Sequence, residues 1–319
     1  MDKLAEESFI EKFAGKGTFV VDKSKKIESE FSGNVIGLVM SGFSSNFGKK
    51  FIEGVSNTAN KLGYSLITAL CYQSAKEEKE LIDRMIANGA KGAVIMPIHD
   101  ENLINVGIVE SVLSKFPIVL ADRYLDCMRL PFVGTDNIES SFNATKYLFS
   151  LGHKNIGFVS PVPSTTTIKE REEGFFKAYA MTNYQFKMSS IFNSIESGMP
   201  GKNNIDYFNK DVENIKKFLT DNKDTTALLC ADSITRDVCV KAAKDLKIRI
   251  PEDLSLVSFD SNIELGDENP YTYIKQDEYK MGEIAVEMLI DLIKDIDDVK
   301  NVLLPAKLVI GSSTKSIKK

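Results

Sequence analysis

From Asn34 onward, short apolar runs alternate with longer stretches in which apolar residues recur every three or four positions. Runs of strand length stand at Val35–Met40, Tyr64–Leu70, Gly92–Met96, Pro117–Ala121 and Asn155–Ser160. Between them, Gly48–Leu62 places Phe51, Val55, Ala59 and Leu62 at helical spacing, and Lys76–Asn88 and Leu103–Leu113 repeat the pattern. A fourth helix is capped by Gly134-Thr-Asp-Asn137 and runs through Leu151. Gly63, Gly89 and Gly152 follow helix ends, where a left-handed residue closes the last turn. Such alternation predicts parallel sheets covered by helices on both faces.

Pro161-Val-Pro163 interrupts the series and predicts a first crossing into a second lobe. There the pattern predicts helices at Ile168–Met181, Asp211–Thr220 and Asp232–Leu246. Strands are expected at Met188–Phe192, Thr226–Cys230 and Leu254–Phe259. Ser194–Lys210, rich in Asn and Gly, reads as a loop. Thr272–Ile274 leads through Lys275-Gln276-Asp277 into a long amphipathic helix, Glu278–Lys294, and Val302–Gly311 is the last extended piece. The expected fold is α/β: two doubly wound parallel-sheet lobes joined by a multi-strand hinge. The first lobe is expected over residues 33–160 plus 277–305, the second over 162–274 plus 307–313.

Composition narrows the class. The 319 residues suffice for about two such lobes. Forty Lys+Arg against 45 Asp+Glu give a net charge of −5, so the body is no nucleic-acid surface, and DNA contact needs a separate basic element. Cys71, Cys127, Cys230 and Cys239 form no metal-ligand or disulfide spacing and are expected as buried free thiols. No window approaches about 18 consecutive apolar residues, and Met1–Glu11 does not read as a signal peptide, so a cytoplasmic protein with no membrane contact is expected. His99 and His153 lack partners at ligand spacing, and no metal or other cofactor is expected.

The stretch Ile250-Pro-Glu-Asp-Leu-Ser-Leu-Val-Ser-Phe-Asp260, followed by Thr272-Tyr-Ile-Lys-Gln-Asp277, resembles the effector-binding core of the LacI/GalR family of bacterial regulators. Ile36-Gly-Leu-Val, Gly63-Tyr-Ser-Leu and Leu151-Gly-His-Lys-Asn-Ile-Gly-Phe-Val159 extend the resemblance over nearly all of Asn34–Ser313. It implies a regulator that binds a small sugar between its lobes. Asp122 and Asp260 follow apolar strands, at the strand ends where open α/β sheets bind ligands. The resemblance makes both effector contacts. Arg171, in the Arg-x-x-Gly-Phe pattern ending at Phe175, is the third, and Phe43, Ser44 and Phe47 match the loop after the first strand. Carboxylates and a guanidinium suit neighbouring hydroxyls because they form short, charge-assisted hydrogen bonds. Ala231 stands where the family often has an asparagine, which removes one contact. The plainer alternatives are that Arg171 pairs with its flanking glutamates, Asp122 with Arg123 or Arg129, and that Asp260 caps a turn.

Residues Leu4–Val21 resemble the wing of a GntR-type winged helix-turn-helix, with Gly15-Lys16-Gly17 as the turn and Thr18–Val21 as the returning strand. The recognition helix of such a unit would precede Leu4. The expected units are a wing over residues 1–21, a polar linker over 22–32 and an effector domain over 33–313. Lys12, Gly15, Lys16, Gly17 and Thr18 are the candidate DNA contacts. This pairing resembles the arabinose-utilisation repressors and implies L-arabinose, or a similar pentose or hexose, as effector. It also implies operator DNA and a second copy of the chain as partners; the apolar helix face around Leu81, Met85 and Ile86 is a candidate interface and equally a candidate for packing within a lobe. The competing readings are a solute-binding protein of a sugar transporter and an enzyme. The latter finds no nucleophile–base pair, metal cluster or phosphate loop in the sequence.

Overall fold

The computed structural model describes residues 10–13, 17–20, 33–41, 47–72, 74–98, 105–162, 165–199, 202, 204–261, 270–296 and 299–317. A two-stranded hairpin, β1 (Ile10–Phe13) and β2 (Gly17–Val20), comes first, antiparallel with Lys12 opposite Thr18. The predicted turn residues Gly15 and Lys16 lie outside the described residues.

The first large sheet has the order β13-β7-β6-β5-β3-β4 and is parallel throughout. Its strands are β3 (Val35–Ser41), β4 (Ser65–Cys71), β5 (Ala90–Ile95), β6 (Ile118–Ala121), β7 (Phe132–Thr135) and β13 (Val302–Leu304). Helix α1 (Lys49–Lys61) covers one face, together with α8 (Glu278–Ile293), in a core that includes Ile36, Leu38, Phe51, Val119 and Leu289. Helices α2 (Ala75–Ala87) and α3 (Val106–Leu113) cover the other, over Val39, Ile82, Ile95 and Leu120. Both faces being buried explains why the strands are apolar runs rather than alternating ones.

The second sheet has the order β14-β12-β11-β10-β8-β9, parallel except where β14 meets β12. It comprises β8 (Ile156–Pro161), β9 (Ile191–Ile195), β10 (Ala227–Cys230), β11 (Ser255–Phe259), β12 (Thr272–Lys275) and β14 (Lys307–Val309). Helices α4 (Asn137–Ser150) and α5 (Thr166–Ala180) cover one face, and α6 (Ile205–Asp221) and α7 (Ser233–Asp245) the other. The chain crosses between sheets three times, after Thr135, after Lys275 and between Leu304 and Lys307.

The first crossing corrects the sequence reading. Residues 137–160 belong to the second lobe: Phe142, Leu148 and Phe149 of α4 pack with Phe158 and Phe175, and β8 pairs with β10 and β9. Pro161 ends a strand inside the second sheet and marks no lobe boundary. The crossing was missed because β7 is only four residues long and α4 follows it in unbroken β–α alternation.

Two further corrections concern β9 and α6. Residues Met188–Ser190 form a 3-10 turn before β9, and the supposed loop Ser194–Lys210 contains the end of β9 and the first turns of α6, which Asn204 caps through the Asp206 and Tyr207 N–H groups. Cys71, Cys230 and Cys239 are buried, but Cys127 is exposed. Met85 is a core residue, 2% exposed, whereas Ile86 is 39% exposed. His153 is structural: its ring nitrogens bond Thr226 Oγ1 at 2.9 Å and the Lys315 carbonyl at 3.0 Å, and burial lowers its pKa. His99 lies outside the described residues. No helix among the described residues is long and apolar enough to cross a membrane.

Candidate functional site

Asp122 and Asp260 leave the carboxyl ends of β6 and β11, one in each lobe, and both adopt the left-handed backbone region, with φ of 60° and 58°. Aspartate tolerates that region better than most side-chain-bearing residues, and the sharp bend ends each strand. The Asp122 N–H still reaches the Val133 carbonyl at 2.9 Å, and the Asp260 N–H the Ile274 carbonyl at 3.1 Å. Each bend is therefore fixed by its neighbouring strand.

Asp122 is 6% exposed, with Arg123 Nε 3.5 Å from its Oδ2. Burial raises its pKa, while Arg123 and Arg171 pull it back down. Asp260 is half-buried, and its two carboxylate oxygens accept from Gln276 Nε2 at 2.9 and 3.0 Å. Burial pushes its pKa up to about 6; Arg171 and Gln276 oppose the rise, and Asp122 and Asp232 add to it. Asp122, Arg171 and Asp260 thus lie in one electrostatic field. They are brought together from α5 and two strand ends.

Arg171 is 5% exposed and makes no ion pair with its flanking glutamates among the described residues. Its Nε donates to Asn137 Oδ1 at 2.8 Å and its Nη1 to the Ala231 carbonyl at 2.7 Å, and its guanidinium carbon lies 3.9 Å from the centre of the Phe259 ring. These contacts hold a buried cation in one orientation and leave Nη2 without an acceptor among the described residues. Ala231 contributes its backbone carbonyl to this support. Asp232 caps α7 by accepting from the Thr235 N–H at 2.7 Å. Phe47 is half-buried against the first-lobe core. Phe43 and Ser44 lie outside the described residues, as do the side chains of Lys12 and Thr18.

Six participants escaped the sequence reading. Gln276 sits on the second crossing and joins Asp260 to Thr135 at the first, accepting from Thr135 Oγ1 at 2.6 Å. Tyr124 reaches from the first lobe to α5: its N–H donates to Thr166 Oγ1 at 3.2 Å and its hydroxyl to Glu170 at 2.9 Å. Glu170 also accepts from Asn137 Nδ2 at 3.1 Å, which links this clasp to Arg171. Lys169 and Asp126 add an exposed interlobe ion pair at 3.1 Å. Glu278, at the start of α8, carries a carboxyl that burial pushes up to about 7, with Asp260 and Asp122 raising it further. The detectable sequence signal was Gln276-Asp277-Glu278, polar residues entering a helix just after a crossing. No group of three or more His, Cys, Asp or Glu among the described residues has metal-holding geometry.

The family of periplasmic binding protein-like domains matches residues 145–314, more than half of the chain. The chain belongs to that family. Two curated relatives of this periplasmic-binding-protein-like chain are transcriptional repressors, a regulatory and not an enzymatic class. The HTH-type transcriptional repressor PurR of Aliivibrio fischeri (strain MJ11) is 28% identical over 269 residues, spanning 84% of this chain and 77% of the relative. The arabinose metabolism transcriptional repressor of Geobacillus stearothermophilus is 25% identical over 325 residues, spanning 99% and 86%. Among solved structures, a putative ribose operon repressor from Burkholderia thailandensis superposes with a TM-score of 0.74 at 24% identity, covering 86% of this chain and 98% of that one. A complex of the transcriptional regulator CelR with cellobiose gives a TM-score of 0.74 at 20% identity, covering 91% and 89%. Both share the two-lobed fold.

Proposed function

We propose that this chain is the effector-binding part of a sugar-responsive transcriptional repressor, with L-arabinose as the effector. The observation that carries the reading is the shared field of Asp122, Arg171 and Asp260, contributed by both lobes at strand ends. Two carboxylates accept from hydroxyl groups while the fixed guanidinium donates to them, a combination suited to an uncharged polyol. The match to the arabinose repressor favours arabinose because it spans 99% of this chain, including the hairpin of β1 and β2, whereas the PurR match spans 84%.

Phe47, together with Phe43 and Ser44, completes the effector site in this reading. The hairpin is the wing of a winged helix-turn-helix, with Lys12, Gly15, Lys16, Gly17 and Thr18 at the DNA backbone. A homodimer presents two such heads to a near-palindromic operator. Effector binding closes the lobes about the three crossings and draws the heads out of register, a coupling worth about 1–3 kcal/mol in comparable systems.

Titration calorimetry with L-arabinose and a panel of neutral pentoses and hexoses tests the proposal. A one-site isotherm for L-arabinose that vanishes in Asp260→Ala is the expected result. Silence from every sugar in the panel removes the reading. The transporter alternative is less favoured, since both curated relatives described above are repressors.

A further inference from the structure

The entry of α1, like those of α3 and α5, has no side-chain cap of its own. Ser74, Asp136, Asn204, Asp232 and Asp277 each cap their own helix through a side-chain oxygen. At the start of α1 stands Gly48, with φ 104° and no side chain to offer, and the first turn holds Lys49 and Lys50 and no acid. Two cations at a helix N-terminus oppose the helix dipole. The missing acceptor comes from far along the chain: the Gly48 N–H donates to Glu278 Oε2 at 2.7 Å, across 230 positions.

Helices α1 and α8 also touch backbone to backbone. A Cβ at Gly54 would stand 2.2 Å from the Tyr279 carbonyl oxygen, and one at Gly282 would stand 2.4 Å from that of Phe51. With no side chains between them at these points, the two helices have little slack. A displacement of the Glu278 end of α8 therefore moves the entry of α1 and the adjoining Phe47.

We infer that Glu278 is a positioning residue of the effector cleft, which fastens the entry of α1 across the chain and links it to the charge state of Asp122 and Asp260. The inference rests on the effector reading above for its role in sensing, but not for the cap itself. The charged groups that face Glu278 are Asp122 at the end of β6, Asp260 after β11 and Lys50 on α1; on its own helix Tyr279 adjoins it, with Asp277 before them. A polyol that donates hydroxyls to Asp122 and Asp260 screens their charges, which add to burial in raising the Glu278 pKa. Ionised Glu278 is then the stronger acceptor for Gly48.

Amide exchange and chemical shift at Gly48, followed by NMR on the full chain without ligand, test the cap. In Glu278→Ala the Gly48 amide should exchange about tenfold faster, the usual scale for loss of a helix cap. Glu278→Gln, which keeps an acceptor oxygen, should recover most of the protection. In the native protein the Gly48 shift should titrate with a midpoint near 7, and in Glu278→Gln that titration should disappear. Equal exchange in native protein and Glu278→Ala, or a Gly48 titration that survives in Glu278→Gln, overturns the assignment. If Glu278→Ala does not fold, the native and Glu278→Gln titrations decide alone. L-Arabinose is then added to the native protein. Failure of that sugar to bind counts against the effector reading, while the ligand-free Gly48 data still settle the cap.

Discussion

Asp122 and Asp260 occupy equivalent places in the two lobes, each at a strand end with φ near 60°, yet they are anchored differently. Asp122 is held within its own lobe, buried beside Arg123. Asp260 is held by Gln276, whose other end meets Thr135, so its support lies on two of the three lobe crossings. The same residue at the same point of a β–α unit can thus serve as a fixed wall or as a group tied to the hinge. The difference lies in what the neighbouring crossing supplies. Binding at Asp260 should therefore report on lobe position, and binding at Asp122 should not.

The sharpest way to break this comparison is to remove the cation between the two acids. Arg171→Ala deletes two charge-assisted hydrogen bonds and the stack on Phe259, and should abolish sugar binding and cost about 3 kcal/mol of stability, read by urea unfolding. A variant of unchanged stability would show that the buried guanidinium is not a fixed support. Next come the acids themselves. Asp260→Asn should weaken L-arabinose binding about 100-fold and Asp122→Asn about tenfold, because only the first also disturbs the Gln276 link. Calorimetry on both variants decides, and equal losses would erase the distinction between wall and hinge.

The clasp between lobes sharpens the picture further. Tyr124→Phe removes one hydrogen bond, to Glu170, and should cost about 1 kcal/mol of closure, seen as an approximately fivefold weaker affinity and a larger ligand-free radius of gyration in solution scattering. An unchanged radius and affinity would mean that the clasp does not bias the lobes.

The pH dependence of the ligand-free protein gives a separate test, one that needs no sugar. Asp260 and Glu278 have folded-state pKa values raised from 3.8 and 4.5 to about 6 and about 7, chiefly by burial. Between those limits the folded chain binds more protons than the unfolded one, so these two groups make stability fall as pH rises from about 4 to about 7. The double variant Asp260→Asn, Glu278→Gln should show a flatter Tm profile across that window. A profile as steep as that of the native protein would contradict the assignment.

Much of this arrangement was legible in the sequence. Apolar runs fixed most strands because both faces of each sheet are buried, and Gly63, Gly89 and Gly152 do stand at positive φ after their helices. Asp122 and Asp260 could be singled out because ligands gather at strand ends, and both feel the charge of Arg171. Lobe membership was harder to read. Nothing local distinguishes a strand that continues one sheet from one that starts another, and β7 has only four residues to mark the crossing. Gln276, Tyr124 and Glu278 act through partners 16 to 230 positions away, distances over which no periodicity carries information. Arg171 was found through resemblance, yet its actual partners, Asn137 and the Ala231 carbonyl, follow only from the packing of α4 and α5 in the second lobe.

A crystal structure of the chain grown with L-arabinose tests the central claim most directly. The account predicts one sugar between the lobes, its hydroxyls within hydrogen-bond distance of Asp122, Asp260 and Arg171 Nη2. A sugar bound elsewhere, or a cleft in which these three groups make no contact with it, would contradict the account.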